Sequence, residues 1–233
     1  MLNLRKALSL ILLGSLGLTN SSCVDNNSSI FIRQVQARIL DEDCTVMNEP
    51  DTNILLRGTA DAAIIMDATF GRGRYEAALL IGNQLIARAD PDRLRPETSG
   101  VNLTDAEIEV FDRNGASLGA YSVALSGFVD TTSTNEPGYG LARINLLDGS
   151  ILTAMGEENW NQTVTSRVKV YGVTQGGTNV ETAHWDFPID VCNRCLINEC
   201  PDATPCEAEI TVATCIPGQD GSIGCRAINN CSE

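Results

Sequence analysis

The side chains that could do chemistry in this chain are nine cysteines, a single histidine and a surplus of carboxylates. His184 and Asp186 share one parity of a strand, which suits an acid/base pair, although a hydrolase would still need a nucleophile brought to them. A solvated strand face explains the same two residues, and no Gly-x-Ser-x-Gly, His-Glu-x-x-His or Walker sequence accompanies them, so no residue is assigned as catalytic. Cys192-Asn193-Arg194-Cys195 has the spacing of a thiol redox pair, or of half a zinc site completed by Cys200 or Cys206. After export, structural disulfides are the simpler use for these thiols, and neither a metal nor another cofactor is expected. The acidic groups Asp41-Glu42-Asp43 and Asp90 with Asp92 offer oxygen ligands, but they lack the alternating spacing and glycine of a calcium loop and read as solvated surface. Tyr139, between Gly138 and Gly140, is a candidate recognition aromatic or a tight turn feeding a strand. Arg72, Arg74, Arg88, Arg93 and Arg95 form the one local excess of positive charge.

Where these groups work depends on the first residues. Arg5 and Lys6 precede an apolar run from Ala7 to Leu18, which is too short to span a bilayer and reads as the core of a secretory signal over residues 1–22. Ser21 and Ser22 then lead to Cys23, an arrangement that resembles a bacterial lipoprotein signal, although Asn20 replaces the usual aliphatic residue. Cys23 is therefore the expected lipid attachment, with 23–29 as a polar tether; plain secretion with cleavage near Ser22 is the alternative. Without Cys23, eight cysteines remain (Cys44, Cys192, Cys195, Cys200, Cys206, Cys215, Cys225 and Cys231), an even set that can pair completely as disulfides.

Charge removes one class of partner. With 16 basic against 30 acidic residues the chain carries −14, and loss of Arg5 and Lys6 with the leader brings the mature protein to −16. Such a surface repels phosphate backbones, so no nucleic-acid partner is expected, and a peripheral electrostatic grip on anionic lipid is equally disfavoured.

The elements that must position these residues are strands. Ala106 to Val110 alternate apolar and acidic residues, Asn114-Gly115 supplies a hairpin turn, and Leu118 to Val129 return. Val164 to Tyr171, a Gly176-Gly177 turn, and Trp185, Phe187 and Ile189 form a second hairpin. Ile30–Leu40, Asn53–Ile65, Arg74–Ile86 and Gly140–Leu147 are further strands, 148–158 holds a helical turn or two, and 90–100 is a loop. Short spacing without helical crossovers predicts an all-β, immunoglobulin-like antiparallel β-sandwich over residues 30–190. Its inward residues by parity are Ile108, Val110, Val123, Leu125, Ile144, Leu146, Val168, Val170, Trp185, Phe187 and Ile189. Residues 191–233 carry seven cysteines in 43 positions and form a disulfide-rich C-terminal appendage. In a sandwich whose first and last strands run parallel, Cys44 and Cys192 leave at one end, which predicts a bridge from Cys44 to Cys192 or Cys195.

Several strings carry a family likeness: Asp41-Glu42-Asp43-Cys44 after a strand, Leu80-Ile81-Gly82-Asn83-Gln84-Leu85, Gly127-Phe128-Val129-Asp130, Pro137-Gly138-Tyr139-Gly140, and Phe187-Pro188-Ile189-Asp190-Val191-Cys192 before a cysteine-rich end. Together with the candidate lipid cysteine they resemble the cysteine-rich secreted lipoproteins of myxobacteria and their relatives, over nearly the whole mature chain. The resemblance implies an outer-membrane lipoprotein facing the periplasm or the cell surface and brings no catalytic residue. The expected function is thus a non-enzymatic, lipid-anchored binding or structural role towards an envelope protein or polysaccharide. The alternative is an envelope hydrolase or thiol redox protein using His184 and Asp186, or Cys192 and Cys195.

Overall fold

Alternating burial runs through the long strands of the computed structural model, which describes residues 29–39, 44–68, 71–132, 136–196 and 215–222. The leader, Cys23, the acidic run Asp41-Glu42-Asp43, and Cys200, Cys206, Cys225 and Cys231 lie outside the described residues. In chain order the elements are β1 (Ile30–Gln36), β2 (Ile54–Leu55), β3 (Gly58–Asp61), α1 (Ala62–Ile65), β4 (Arg74–Asn83), β5 (Val101–Phe111), β6 (Ser117–Val129), β7 (Gly138–Asp148), α2 (Gly149–Met155), β8 (Gln162–Thr174), β9 (Asn179–Glu181) and β10 (Trp185–Cys192).

They build an all-β sandwich. One sheet is ordered β2-β1-β4-β7 and the other β3-β10-β8-β5-β6, with β9 pairing β8 beside that path. Every pairing is antiparallel except that of β3 with β10. This is an immunoglobulin-like arrangement: the chain begins in one sheet as β1 and crosses to the other as β3, which runs parallel to the last strand. The expected single strand Asn53–Ile65 is therefore broken into β2, β3 and α1 by that crossing. Gly58 is needed at its far side, because a Cβ there would come within 2.6 Å of the Tyr75 ring that lies against it.

Inner faces of both sheets meet in one core, where Ile30, Leu79, Ile81, Ile144 and Leu146 from the first sheet pack with Ile108, Val168, Val170, Phe187 and Ile189 from the second. Val123, Leu125 and Trp185 are only partly buried against it. For Val123 and Leu125 the reason is position, since β6 is the edge of its sheet. Trp185 stacks on Phe187 with ring centroids 5.7 Å apart at the start of β10.

Turn chemistry agrees with the strands. Asp112 accepts from the backbone N–H of Asn114 and Ala116, and Gly115 takes φ +83° to close the β5–β6 hairpin. The Asp148 carboxylate caps α2 by accepting from Ser150 N at 2.9 Å. Gly138 and Gly140 are strand residues of β7, not a turn: Gly140 is where β7 runs close to the β6 backbone, with its would-be Cβ 3.0 Å from the carbonyl carbon of Phe128.

Candidate functional site

The outer face of the larger sheet carries a run of ionisable groups, and register decides their neighbours. Glu109 pairs across to Arg167 and Glu107 to Lys169, while Arg167 in turn lies opposite Asp186. The result is rows of acid, base, acid across β5, β8 and the strands beyond. Arg167 holds Asp186 with two hydrogen bonds, Nε to Oδ1 at 2.7 Å and Nη2 to Oδ2 at 2.9 Å. Lys169 pairs Glu181 at 2.8 Å, and the Tyr171 hydroxyl donates to Glu107 at 2.7 Å. Phe111 lies under the Arg167 guanidinium, 4.9 Å from it. The Arg167 hydrogen bonds, with its charge and that of His184, hold Asp186 below the usual carboxylate range despite some desolvation.

Next to this ladder β6 presents only short side chains. Opposite Glu109 and Glu107 in register stand Ala120 and Ser122. A shallow open trough results, lined by Glu107, Glu109, Tyr121, Ser122, Arg167 and His184. His184 is exposed, as its parity predicts, and makes no hydrogen bond with a described residue. The structure thus brings His184 and Asp186 to one face, yet commits both Asp186 oxygens to Arg167.

The Cys192-Cys195 spacing closes on itself as a disulfide, with Cα atoms 5.8 Å apart. Beside it, in register with Cys192 across β3 and β10, is Asp61, which is wholly buried. Cys192, Cys195 and Asp61 are the one described group of three that could gather round a metal ion. The Asp61 carboxylate, however, accepts from Arg194 N at 2.9 Å and Leu196 N at 3.0 Å. Those amide donors are the groups that would stabilise a reactive thiolate in a redox pair, and here they cap a turn for a buried carboxylate. Sequence reasoning missed Asp61 because its partner turn lies 133 residues away.

Cys44 does not reach Cys192 or Cys195. It bonds to Cys215, with Cα atoms 5.6 Å apart, which corrects the expected bridge. The physical reason is the sheet crossing: the strand parallel to β10 is β3, and β3 leads into α1, whereas Cys44 lies in the connection between β1 and β2. The tail comes back to meet it. Gln219 bridges to Ala60, Asp61 N donates to Gly218 O, and Asp220 N donates to Thr59 O, so the segment covers the open edge of β3. Ile216 is buried beneath it.

A cavity of about 140 Å³ remains under this segment, lined by Gln36, Arg38, Tyr75, Glu76, Gln219 and Asp220 among others. Arg38 and Glu76 form a largely buried ion pair at 2.8 Å. Asp220 is exposed as a residue but turns its carboxylate inward, where it accepts from Tyr75 Oη at 2.9 Å and from Thr59 N at 2.7 Å. Desolvation raises Asp220 above the ordinary carboxylate value against those hydrogen bonds, and burial with the adjacent Asp220 charge pushes Tyr75 well up.

The remaining candidates separate. Arg74 begins β4, while Arg88, Arg93 and Arg95 lie beyond its far end, so the arginines are not one patch. Asp90 closes a small turn, its N–H donating to Arg95 O and its side chain pairing Arg93. Tyr139 packs edge-on against Phe31, centroids 6.5 Å apart. Among the described residues no helix is long and apolar enough to cross a membrane.

No family model matches the sequence, and no curated protein matches it. Among solved structures the chain is similar to a late embryogenesis abundant (LEA) protein, with 6% identity over 59% of this chain and 71% of that one, at a TM-score of 0.31. A likeness at that score carries no argument, and the fold stands on the strand order and core packing above.

Proposed function

We propose that this protein is a lipid-anchored, non-enzymatic binding module of a bacterial cell envelope, tethered through Cys23 to the outer membrane. Its ligand face is the trough on the larger sheet, and the ligand is an envelope polysaccharide, with an envelope protein as the other class of partner. The observation that carries this reading is the trough itself: Glu107, Glu109, Ser122 and Arg167 set carboxylate, hydroxyl and guanidinium groups along a flat, open strip where β6 supplies little bulk. Such groups accept from and donate to sugar hydroxyls without needing a deep pocket. Against a hydrolase stand the two Arg167 hydrogen bonds on Asp186 and the lack of a nucleophile hydrogen-bonded to His184 among the described residues. Against thiol redox chemistry stands the use of the Arg194 and Leu196 amides by Asp61.

Two measurements test it. Replacing Cys23 by serine should release the protein from the membrane fraction, and unchanged fractionation rejects the tether. Purified protein should co-sediment with insoluble envelope polysaccharide, and Glu107→Gln with Glu109→Gln should weaken that binding about tenfold or more if each lost charged hydrogen bond contributes about 1 kcal/mol or more. Equal retention of parent and double variant rejects the trough as the ligand face.

A further inference from the structure

The connection from β4 to β5 displays apolar side chains that the fold does not use. Leu94 is 91% exposed and Ile86 74% exposed, and Phe128 close to that end of the sandwich is 46% exposed. Leu94 also holds φ +52°, a left-handed backbone that leucine rarely takes, at the tip of the turn after the 3-10 segment Pro91–Arg93. This is a built loop. The Glu97 carboxylate accepts from the N–H groups of Arg88, Ala89, Thr98 and Ser99, the Asp90 and Arg95 backbones pair with each other, and Ile86 bridges to Thr132. Asn83 ties the loop to its neighbours by donating to Ser99 O and Asp130 O. The leucine is thus presented by a braced frame.

Two features indicate what covers it. The chain enters the sandwich at this same end, since Ile30 pairs Asn83 and Gln84 N donates to Ser29 O. Cys23 lies six positions before Ser29, a reach of about 20 Å at most when extended. Charge is the second: in a protein of formal charge −14, Arg88, Arg93 and Arg95 balance Asp90, Asp92 and Glu97 within this loop, and while Arg93 pairs with Asp90 and the Glu97 carboxylate is taken up by backbone N–H groups, Arg88 and Arg95 form no ion pair with a described residue. Arginine beside exposed leucine and isoleucine suits the phosphate layer of a bilayer, with aliphatic stems along the lipid and guanidinium groups at the headgroups.

We propose that the 84–97 loop is a membrane-contacting loop, which rests Leu94 and Ile86 in the headgroup layer of the membrane that holds Cys23 and sets Arg88, Arg93 and Arg95 at its phosphates. This rests on the lipid-tether reading above and adds an orientation: the sandwich stands with this end on the membrane and carries the Cys44–Cys215 end outward.

The test uses full-length protein extracted from membranes and placed in phospholipid vesicles, with and without brominated acyl chains, carrying Leu94→Trp or Leu56→Trp. Leu56 is 82% exposed and lies just past β2, which pairs with the far end of β1. After subtraction of the parent's Trp160 and Trp185 signal, Leu94→Trp should shift to the blue and lose about half its emission to bromine, while Leu56→Trp stays unquenched. Equal, absent quenching at both positions on vesicle-bound protein overturns the proposal and leaves the tether standing. The mass of the N-terminal peptide reads the tether separately. If Cys23 carries no lipid and Leu94→Trp is unquenched, both readings fall; if it carries none and Leu94→Trp is still quenched, the loop contacts membranes unaided.

Discussion

Removing the Cys44–Cys215 bridge should do two separable things. The bridge spans 171 positions, so in the loop-entropy account its loss frees the unfolded chain by up to about 5 kcal/mol. For a domain of this size that corresponds to a fall in Tm of about 10–20 °C. The second effect is local. Residues 215–222 hold the sandwich through buried Ile216, worth about 2 kcal/mol, and through five hydrogen bonds, two with Thr59 and one each with Asp61, Tyr75 and Arg74, worth about 1 kcal/mol each. Ordering eight residues costs about 8–16 kcal/mol, which exceeds that sum of about 7 kcal/mol. The segment should therefore undock in Cys44→Ser/Cys215→Ser while the sandwich stays folded. Hydrogen exchange on the Asp61 amide, which donates to Gly218 O, reads undocking directly, and thermal melts read the global term. An Asp61 amide as protected as in the parent would show that the segment holds by its own contacts. A Tm within about 2 °C of the parent would refute the entropic term.

Three further outcomes rest on named groups. Phe187→Ala, at a site 1% exposed, should cost about 3–5 kcal/mol in chemical denaturation, and a parent-like midpoint would mean β10 faces the other way. Desolvation pushes Glu97 up, but the N–H groups of Ser99, Ala89, Arg88 and Thr98 together outweigh it and bring the carboxyl down from 4.5 to about 2. The bracing of its loop should hold above about 4.5 and fail as pH falls towards 2, so an NMR titration of the Ser99 amide should show a midpoint near 2 and not near 4.5. Asp220 is shifted the other way: its folded value lies above 3.8, so its contribution is favourable below that value and is lost as pH rises through the folded one. Asp220→Asn keeps an acceptor for Tyr75 and Thr59 and should raise Tm at pH 7 but not at pH 3; a lower Tm at pH 7 refutes the assignment.

The sandwich is legible in the sequence because period-two patterning is a local property. Ala106 to Val110 and Val164 to Tyr171 state in their own side chains which face is buried, and the structure buries Ile108, Val110, Val168 and Val170 accordingly. The same is true of turn chemistry at Asn114-Gly115 and of the capped helix after Asp148. The trough is half legible: parity places His184 with Asp186, but it takes the cross-strand register to set Glu109, Arg167 and Asp186 in one row beside Ala120. Asp61 gives no local signal at all. Its burial and its two amide donors come from β10 and the turn beyond, and a carboxylate in Gly-Thr-Ala-Asp looks no different from one on the surface.

The disulfide topology departs from expectation at one identifiable step, and that step explains the appendage. The sequence predicts parallel pairing of the first and last strands, and a parallel pair is present, but between β3 and β10 instead of β1 and β10. The crossing that makes β3 also leaves it only four residues long at the edge of the larger sheet, with unpaired backbone groups on its outer side. Something must cover that edge, and the tail residues 218–220 do so through Thr59, Ala60 and Asp61. Given its ordering cost, this segment should not stay docked by its own contacts, and a covalent tie lies where it would act, between Cys215 and Cys44 in the connection leaving β1. Cys192 and Cys195 are then left to close on each other across three positions, which holds the turn whose amides serve Asp61. Each bridge thus secures one side of β3, and the cysteines of the appendage belong to the sandwich's edge as much as to the tail.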